Sequence, residues 1–598
     1  MADYSAPLWD IQFVLEELAG VENIAGYDDF ADFDSALVEP VLAEAARFIE
    51  ETIAPLNTNS DQQGSVRAED GSVKTPDGFV EAYEAYVAAG WQSVPFDPAH
   101  GGGGFPWVIA LALQEMLNSA CMSFALCPLL TQGAIDLLSE HSDEEQKETW
   151  LRPLVSGEWS ATMNLTEPDA GSDVGALRSK AVRQDDGTYL ISGQKIFITY
   201  GEHDMVDNIV HLVLARTPDA PVGTRGISTF IVPKFLLDDE GKPGVRNDVS
   251  CSSIEHKLGI HGSPTCVLQF GDEGGAVGYL IGEENRGMSY MFTMMNNARL
   301  SVGMQGLAIA ERAYQDALAY AMERKQGRAL GAEAGVSSPI IEHLDVRRNL
   351  MTMKAYIEAM RGLAFLDGAA VDAEGHHSDP DGRVKGGERA ALLTPITKGW
   401  CTDLGVELTS IAVQVHGGMG FVEETGVAQH YRDARINPIY EGTNGIQALD
   451  LVTRKLPMDG GRVLNELLDD IERTCAEAID VGGTIEEMGH ALRISNDSVR
   501  ATSAALLERL ASEPADAFAG ATPYLTMLGQ HTGGWALVWQ AIAANRRIAA
   551  GDDDPRLAAK LHTASFYCEQ LLPQAAAQAP AVLASADALL ALSVEQFS

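Results

Sequence analysis

Basic residues are scarce in this chain: 42 lysines and arginines stand against 85 aspartates and glutamates in 598 residues, a formal charge of −43. Such a surface repels phosphate backbones and anionic lipid, which argues against DNA, RNA and membrane-surface partners. It also obliges a site for any anionic ligand to gather local basic side chains, helix N-termini or backbone N–H groups against the global field. The seven cysteines (Cys121, Cys127, Cys251, Cys266, Cys401, Cys475, Cys568) are scattered, odd in number and never spaced CxxC. Neither a disulfide framework nor a zinc site is therefore expected, and no metal is. No uninterrupted apolar run reaches the roughly 18 residues of a membrane span. The opening MADYSAPLWD lacks the basic and apolar regions of an export signal. These absences lead to the expectation of a cytoplasmic protein without membrane insertion. The rest of the composition, 46% hydrophobic and 7% aromatic, is ordinary for a globular protein.

What is present is ordered in blocks. In LVEPVLAEAARFIEETIAPL, Val41, Ala45, Phe48 and Ile49 recur at the spacing of one helix face. The run Gly101 to Gly104 and Pro106 signal a loop. From about residue 161 the pattern changes to short β-rich runs, TYLISG, KIFITY, NIVHLVLA, GISTFIVPK and CVLQF, with Asp186-Gly187 as a hairpin signal. Helical spacing returns near residue 286, with Leu404, Leu408, Ile411 and Val415 in one stripe. The glycine- and acid-rich stretch DAEGHHSDPDGRVKGGE (372–388) reads as a loop between two long helices. After Asp459-Gly460-Gly461, a further segment places Leu464, Leu467, Leu468, Ile471 and Cys475 on one face. The expected fold class is α+β. It comprises an N-terminal helical domain (1–160), a middle antiparallel β barrel or sandwich (161–285), a C-terminal helical bundle (286–455) and an additional helical domain (456–598).

Four segments carry chemistry. Met163 to Gly175, MNLTEPDAGSDVG, alternates hydroxyls with turn formers, so backbone N–H groups can approach a ligand; a capping loop has the same look. Gly193 to Gly201, GQKIFITYG, reads as a strand presenting Lys195, Phe197 and Thr199 to one face. An aromatic beside a hydroxyl suits a flat heterocycle, and suits an ordinary barrel strand too. Gln414 to Gly420, QVHGGMG, closes a helix with a glycine cap open to a phosphate-bearing ligand, and His416 there reads as structural. In Arg432-Asp433-Ala434-Arg435…Ile439-Tyr440-Glu441-Gly442-Thr443-Asn444-Gly445, Glu441 sits among apolar and small residues. Such a setting can raise a carboxyl toward a working general base, although a Glu before Gly is also what a solvated loop contains.

Taken in order, LTEPDAGSD, GQKIFIT, KLGIHGSPT, NNARLSVGMQGLA…ERKQGR, QVHGGMGF and RDARINPIYEGTNGIQ resemble the motif series of the acyl-CoA dehydrogenase family, from about residue 38 to 455. VPFDPAHGGGGFP and EQKETWLRPLVSGEW are similar to its upstream elements. YSAPLWDIQFVLEEL, MNLTEPDAGSDVGALR and the C-terminal helical extension resemble its long 3-methylmercaptopropionyl-CoA dehydrogenase subfamily.

The resemblance implies an FAD flavoprotein that converts an acyl-CoA thioester to a trans-2-enoyl-CoA, with Glu441 as the base. It implies that Leu165 and Thr166 contact the pyrimidine end of the flavin, Phe197 packs on the ring and Thr199 bonds near N5. Ser172 would touch both FAD and coenzyme A. Gln414, Gly417 and Gly418 would hold the adenosine half across a subunit interface, Arg324 the pyrophosphate, and Thr443 the flavin beside the base. Asn296, Arg299 and Gly442 are the implied substrate contacts. Implied partners are the acyl-CoA, electron-transfer flavoprotein as acceptor, and a second copy in a homodimer or dimer of dimers. In some members the base stands one residue before the substrate-helix arginine; here that position is Ala298, which supports Glu441.

Three departures bear on the detail: Arg324-Lys325-Gln326-Gly327 lacks the family's aromatic, Gly445 replaces a side chain, and Asn296-Asn297 replaces a more charged pair. The substrate stays open between 3-methylmercaptopropionyl-CoA, of dimethylsulfoniopropionate degradation, and a plain fatty acyl-CoA of β-oxidation. An acyl-CoA oxidase that reduces oxygen is a further reading. A DNA-associated member of the family is disfavoured, because that branch relies on a basic C-terminal surface and this one is acidic (EEMGH, EPADA, GDDDP).

Overall fold

Helices dominate the chain before Ser160, apart from the short strand pair Val66–Arg67 and Val73–Lys74, and again after Gly287, with the main run of strands between. The computed structural model describes residues 4–598; Met1 to Asp3 of the opening segment lie outside the described residues. Contacts gather the chain into two units. One holds the described residues up to Leu42, Pro106–Glu115 and Val302–Ser598; the other holds Ala43–Phe105 and Met116–Ser301.

The second unit contains the sheet. Its strands are β1 (Ser160–Asn164), β2 (Lys180–Arg183), β3 (Tyr189–Thr199), β4 (Ile209–Ala215), β5 (Ser228–Pro233), β6 (Val249–Ile254), β7 (Thr265–Phe270) and β8 (Ala276–Leu280). They form one eight-stranded sheet in the order β6-β7-β3-β8-β5-β4-β1, with β2 paired to β3. Asp186-Gly187 turns β2 into β3 as expected, with Gly187 at a left-handed φ of 90°. The sheet is not wholly antiparallel: β1 runs parallel to β4, with Ser160 opposite Ile209. Tyr189, Ile191, Phe230, Val232, Leu268 and Phe270 form one apolar core against it.

β3 departs from the expected alternation. Lys195 lies opposite Leu268 and Ile198 opposite Cys266, so two residues, Ile196 and Phe197, face the single Val267. This bulge, with φ 59° at Phe197, reverses the phase of the strand. Lys195 points inward and is fully buried while Phe197 is 59% exposed, so the two do not share a face.

Helix α1 (Trp107–His141) contributes to both units, as does α2 (Gly287–Glu323). By length and composition α1 could cross a membrane, but 94% of its most apolar stretch is buried, the mark of a core helix.

In the first unit, α3 (Leu344–His376) and α4 (Pro380–His416) are joined by only His377–Asp379. The long loop expected over 372–388 is therefore mostly helix. Asp379 caps α4 by accepting from the Asp381 N–H, and Pro380 occupies its first turn. The glycines that suggested a loop serve close packing instead. A Cβ on Gly386 would lie 2.5 Å from the Glu374 backbone nitrogen.

The C-terminal segment adds α6 (Arg462–Val481), α7 (Gly483–Ser512), α8 (Ala521–Ala549) and α9 (Pro555–Gln570), after a short helix α5 (Asn444–Asp450). The stripe Leu464, Leu467, Leu468, Ile471 and Cys475 is buried throughout. α8 meets α4 where Gly529 receives Trp400; a Cβ there would stand 2.2 Å from the indole. Trp400 is 3% exposed, and burying an indole contributes about 4–6 kcal/mol, so this contact anchors the extension to the bundle.

Candidate active site

The residues expected to serve one reaction divide between the two units. Leu165, Thr166, Ser172, Phe197, Thr199, Asn296 and Arg299 belong to the sheet-bearing unit; Arg324, Gln414, Gly417, Gly418, Glu441, Gly442 and Thr443 belong to the helical one.

In the first group, β3 shapes the segment after β1. The Ile196 N–H donates to the Thr166 carbonyl at 2.9 Å, and the Lys195 ammonium to the Leu165 carbonyl at 3.0 Å. The same ammonium donates to the Glu167 carboxylate at 2.8 Å. Glu167 also accepts from the Arg178 N–H at 2.6 Å and from the Ser179 N–H and hydroxyl at 3.0 and 2.6 Å. Burial alone would raise this carboxyl, but the Lys195 charge and these bonds hold it below its ordinary range. Burial draws Lys195 down to about 8 against the pull of Glu167. The acid of LTEPD is thus a structural clamp that closes the turn Glu167 to Ala170 and leaves Gly171, Ser172 and Asp173 exposed.

The β3 bulge turns the Phe197 ring outward with Thr199 two residues along, an exposed aromatic held on a left-handed backbone. On α2, Asn296 is exposed, while Arg299 and Ala298 are buried at 7% and 2%. Between them Asn297 donates its amide to Asp136, whose carboxyl burial pushes up to about 7.

In the second group, α4 ends at His416 with Gly417 as its cap at φ 61°. A Cβ on Gly417 or Gly418 would meet nothing within 4 Å, so this backbone is open to a ligand. His416 is structural, as expected: Nδ1 bonds the Ala412 carbonyl at 2.8 Å and the ring stacks on Tyr320 at 4.3 Å. Gln414 and Arg324 are exposed, and the carbonyl of Arg324 accepts from Ile340 N–H at 2.8 Å.

Glu441 is half-buried and adopts φ 53°, with Gly442 following at φ 83°. A non-glycine residue held there costs about 1–3 kcal/mol, which the surroundings must offset. They do so from several sides. The Tyr440 hydroxyl bonds Gln305; burial and the Glu441 charge push that hydroxyl's pKa up. The Gln447 amide donates to the Glu441 carbonyl at 3.3 Å, and the buried Lys398 ammonium to the Gly442 carbonyl at 2.8 Å. Thr443 caps α5 by accepting from the Ile446 N–H. Lys398, Gln305, Gln447 and Asp136 were not singled out in the sequence. A lysine within the apolar run TPITKGW was the one visible signal among them.

The chain matches the models of the acyl-CoA dehydrogenase N-terminal domain over residues 38–158, middle domain over 162–272 and C-terminal domain over 285–456. A fourth, described as acetyl-CoA dehydrogenase C-terminal like, covers 467–593. The 3-methylmercaptopropionyl-CoA dehydrogenase of Ruegeria pomeroyi is 46% identical over 591 residues, covering 99% of this chain and 100% of the relative. The broad-specificity linear acyl-CoA dehydrogenase FadE5 of Mycobacterium tuberculosis is 36% identical, over 96% of each chain. The Bacillus anthracis acyl-CoA dehydrogenase, solved with FAD, has the same fold: a TM-score of 0.72 at 21% identity, over 94% of this chain and 91% of that one. With helices before and after the sheet, a helical extension that the relatives share, and identity of this depth from end to end, the chain belongs to the acyl-CoA dehydrogenase family.

Proposed function

We propose that the protein is an FAD-dependent dehydrogenase that oxidises 3-methylmercaptopropionyl-CoA to methylthioacryloyl-CoA, with Glu441 as the base. The observation that carries the substrate is the 46% identity spanning the whole of a relative bearing that name. The residues present suit a flavin: an outward aromatic at Phe197 offers a stacking surface, and the open backbone at Gly417-Gly418 accepts a large anionic group closely.

When bound, FAD supplies the acceptor for the hydride that leaves the β-carbon. The protein's part is to orient and to move one proton. The Glu441 carboxylate takes the α-proton, and its backbone N–H polarises the thioester oxygen, which makes that proton more acidic. Phe197 and Thr199, with Leu165 and Thr166, orient the flavin ring. Gln414, Gly417, Gly418 and Arg324 hold the adenosine and pyrophosphate end, and Thr443 the flavin beside the base. Ser172, Asn296, Arg299 and Gly442 hold the coenzyme A ester. Arg299 and Arg324 place positive charge where the acidic surface would otherwise oppose an anion.

A homodimer is part of this reading. Phe421 is 90% exposed beside the segment assigned to the adenosine half, and Leu330 is 95% exposed near Arg324, assigned to the pyrophosphate, which suits burial against a second copy. Electron-transfer flavoprotein is the acceptor we assign, and the cytoplasm the compartment.

A second substrate reading, a linear fatty acyl-CoA, is favoured by the 36% identity to the broad-specificity relative. A substrate panel with ferrocenium as acceptor separates the two. A preference for 3-methylmercaptopropionyl-CoA over butyryl- to palmitoyl-CoA is expected, and preference for long chains would sink the sulfur-substrate reading.

A further inference from the structure

Lys398 has no role in the chemistry above, yet one turn of α4 around it grips the loop that carries the base. Its side chain is fully buried, and its ammonium donates to the Gly442 carbonyl and to Asn444 Oδ1, each at 2.8 Å. Asn444 turns its amide onto the same turn, toward the Gly399 carbonyl at 2.9 Å and the Asp403 carboxylate at 2.7 Å. The two residues flanking Thr443 are therefore both tied to α4.

The loop needs such a tether. Glu441 and Gly442 hold φ of 53° and 83° in succession, and an L-residue at the first of these has no local preference for that shape. Removing an ammonium from water is unfavourable unless its donors are met, so a buried lysine bonded to this loop couples the helix core to the loop's conformation. A packed helix is also a rigid support, which a functional carboxylate on a short loop otherwise lacks.

We infer that Lys398 is a positioning residue for proton removal. By holding the Gly442 carbonyl and Asn444 it fixes the left-handed turn at Glu441, and with it the directions of the carboxylate and of the Glu441 N–H. The proton still passes to Glu441; Lys398 exchanges nothing with the substrate. The inference rests on Glu441 being the base.

The test compares holoenzymes carrying Lys398→Met, Lys398→Arg, Asn444→Ala and Glu441→Gln, using the preferred thioester and its α-deuterated form. Lys398→Met and Asn444→Ala should retain flavin and keep KM within about threefold, while kcat falls on the order of 10²-fold through misplacement of the base. The α-deuterium effect on kcat should grow, because proton removal becomes the slower step. Lys398→Arg, which keeps a charged donor, should recover about tenfold of the loss. Should Lys398→Met fail to retain flavin, Asn444→Ala decides. Wild-type kcat and an unchanged isotope effect in the deciding variant overturn the inference. A Glu441→Gln enzyme that still turns over overturns the base assignment instead, so the two failures are distinct.

Discussion

The Lys195 ammonium lies 2.8 Å from the Glu167 carboxylate, with 0% of the lysine side chain and 8% of the glutamate side chain exposed. Both residues come from the two segments expected to contact the flavin, and both side chains are buried against each other. Lys195→Met should cost about 3–5 kcal/mol, because it leaves a buried carboxylate without its charge partner. It also frees the Leu165 carbonyl, so the flavin content of the purified protein should fall. Thermal denaturation and flavin absorbance check the two effects separately.

Glu441→Gln keeps the shape of the side chain and loses the base. The variant should stay yellow and lose at least about 10³-fold in ferrocenium-coupled turnover, the scale of removing a general base. Retained turnover would place the base elsewhere.

Reduced enzyme mixed with air-saturated buffer should reoxidise slowly by stopped flow, and quickly once electron-transfer flavoprotein is added. Rapid steady turnover with oxygen alone would instead make the protein an oxidase.

A buried ion network joins the N-terminal segment to the C-terminal extension within the helical unit. Arg361 contacts Glu115 at 2.7 Å and Glu311 at 2.9 Å, while Lys560 of α9 contacts Asp10 at 2.8 Å and Glu358 at 3.1 Å. Burial alone would raise the Asp10 carboxyl, but Lys560, Arg361 and Lys354 outweigh it and hold the group well below the usual carboxylate range. A depressed folded-state pKa stabilises the fold above the unfolded value of about 4, and that stability is lost as pH falls. Asp10→Asn should cost about 3 kcal/mol at pH 7 and flatten the acid limb of a melting-temperature profile.

Asp367 on α3 behaves in the opposite sense. It is fully buried, and burial pushes it up to about 8 against the opposing pull of the Thr397 and Thr394 hydroxyls, the latter donating at 3.4 Å. Its raised pKa stabilises the fold fully below the unfolded value, and the contribution is lost as pH rises toward 8. The slope is at most about 1.4 kcal/mol per pH unit for one proton. Asp367→Asn should remove that slope, so the variant melts higher than the parent at pH 8.5. An identical decline between about pH 4 and 8 in both would show that Asp367 does not cause it.

Much of this protein was legible in its sequence because the signals were local. The stripe Leu464 to Cys475 and the turn Asp186-Gly187 report preferences of neighbouring residues, and both took the expected form. DAEGHHSDPDGRVKGGE misled because glycine serves loops and close helix contacts alike. Gly386 lies within α4, where the Glu374 backbone of α3 comes too close to leave room for a Cβ, a contact made only after folding.

The sequence by itself determined the order of helices and strands, the family, and Glu441 as the carboxylate to test, since these rest on residue identity and spacing along the chain. Only the tertiary structure decided which way those residues face. A bulge opposite Val267 buries Lys195 and exposes Phe197, and packing of α4 against the base loop turns Lys398 from an ordinary helix position into a buried tether. Lysine obeys the same helical spacing whether solvated or buried. Its environment is set by acceptors distant in sequence, at Gly442 and Asn444, which only folding brings within hydrogen-bond reach.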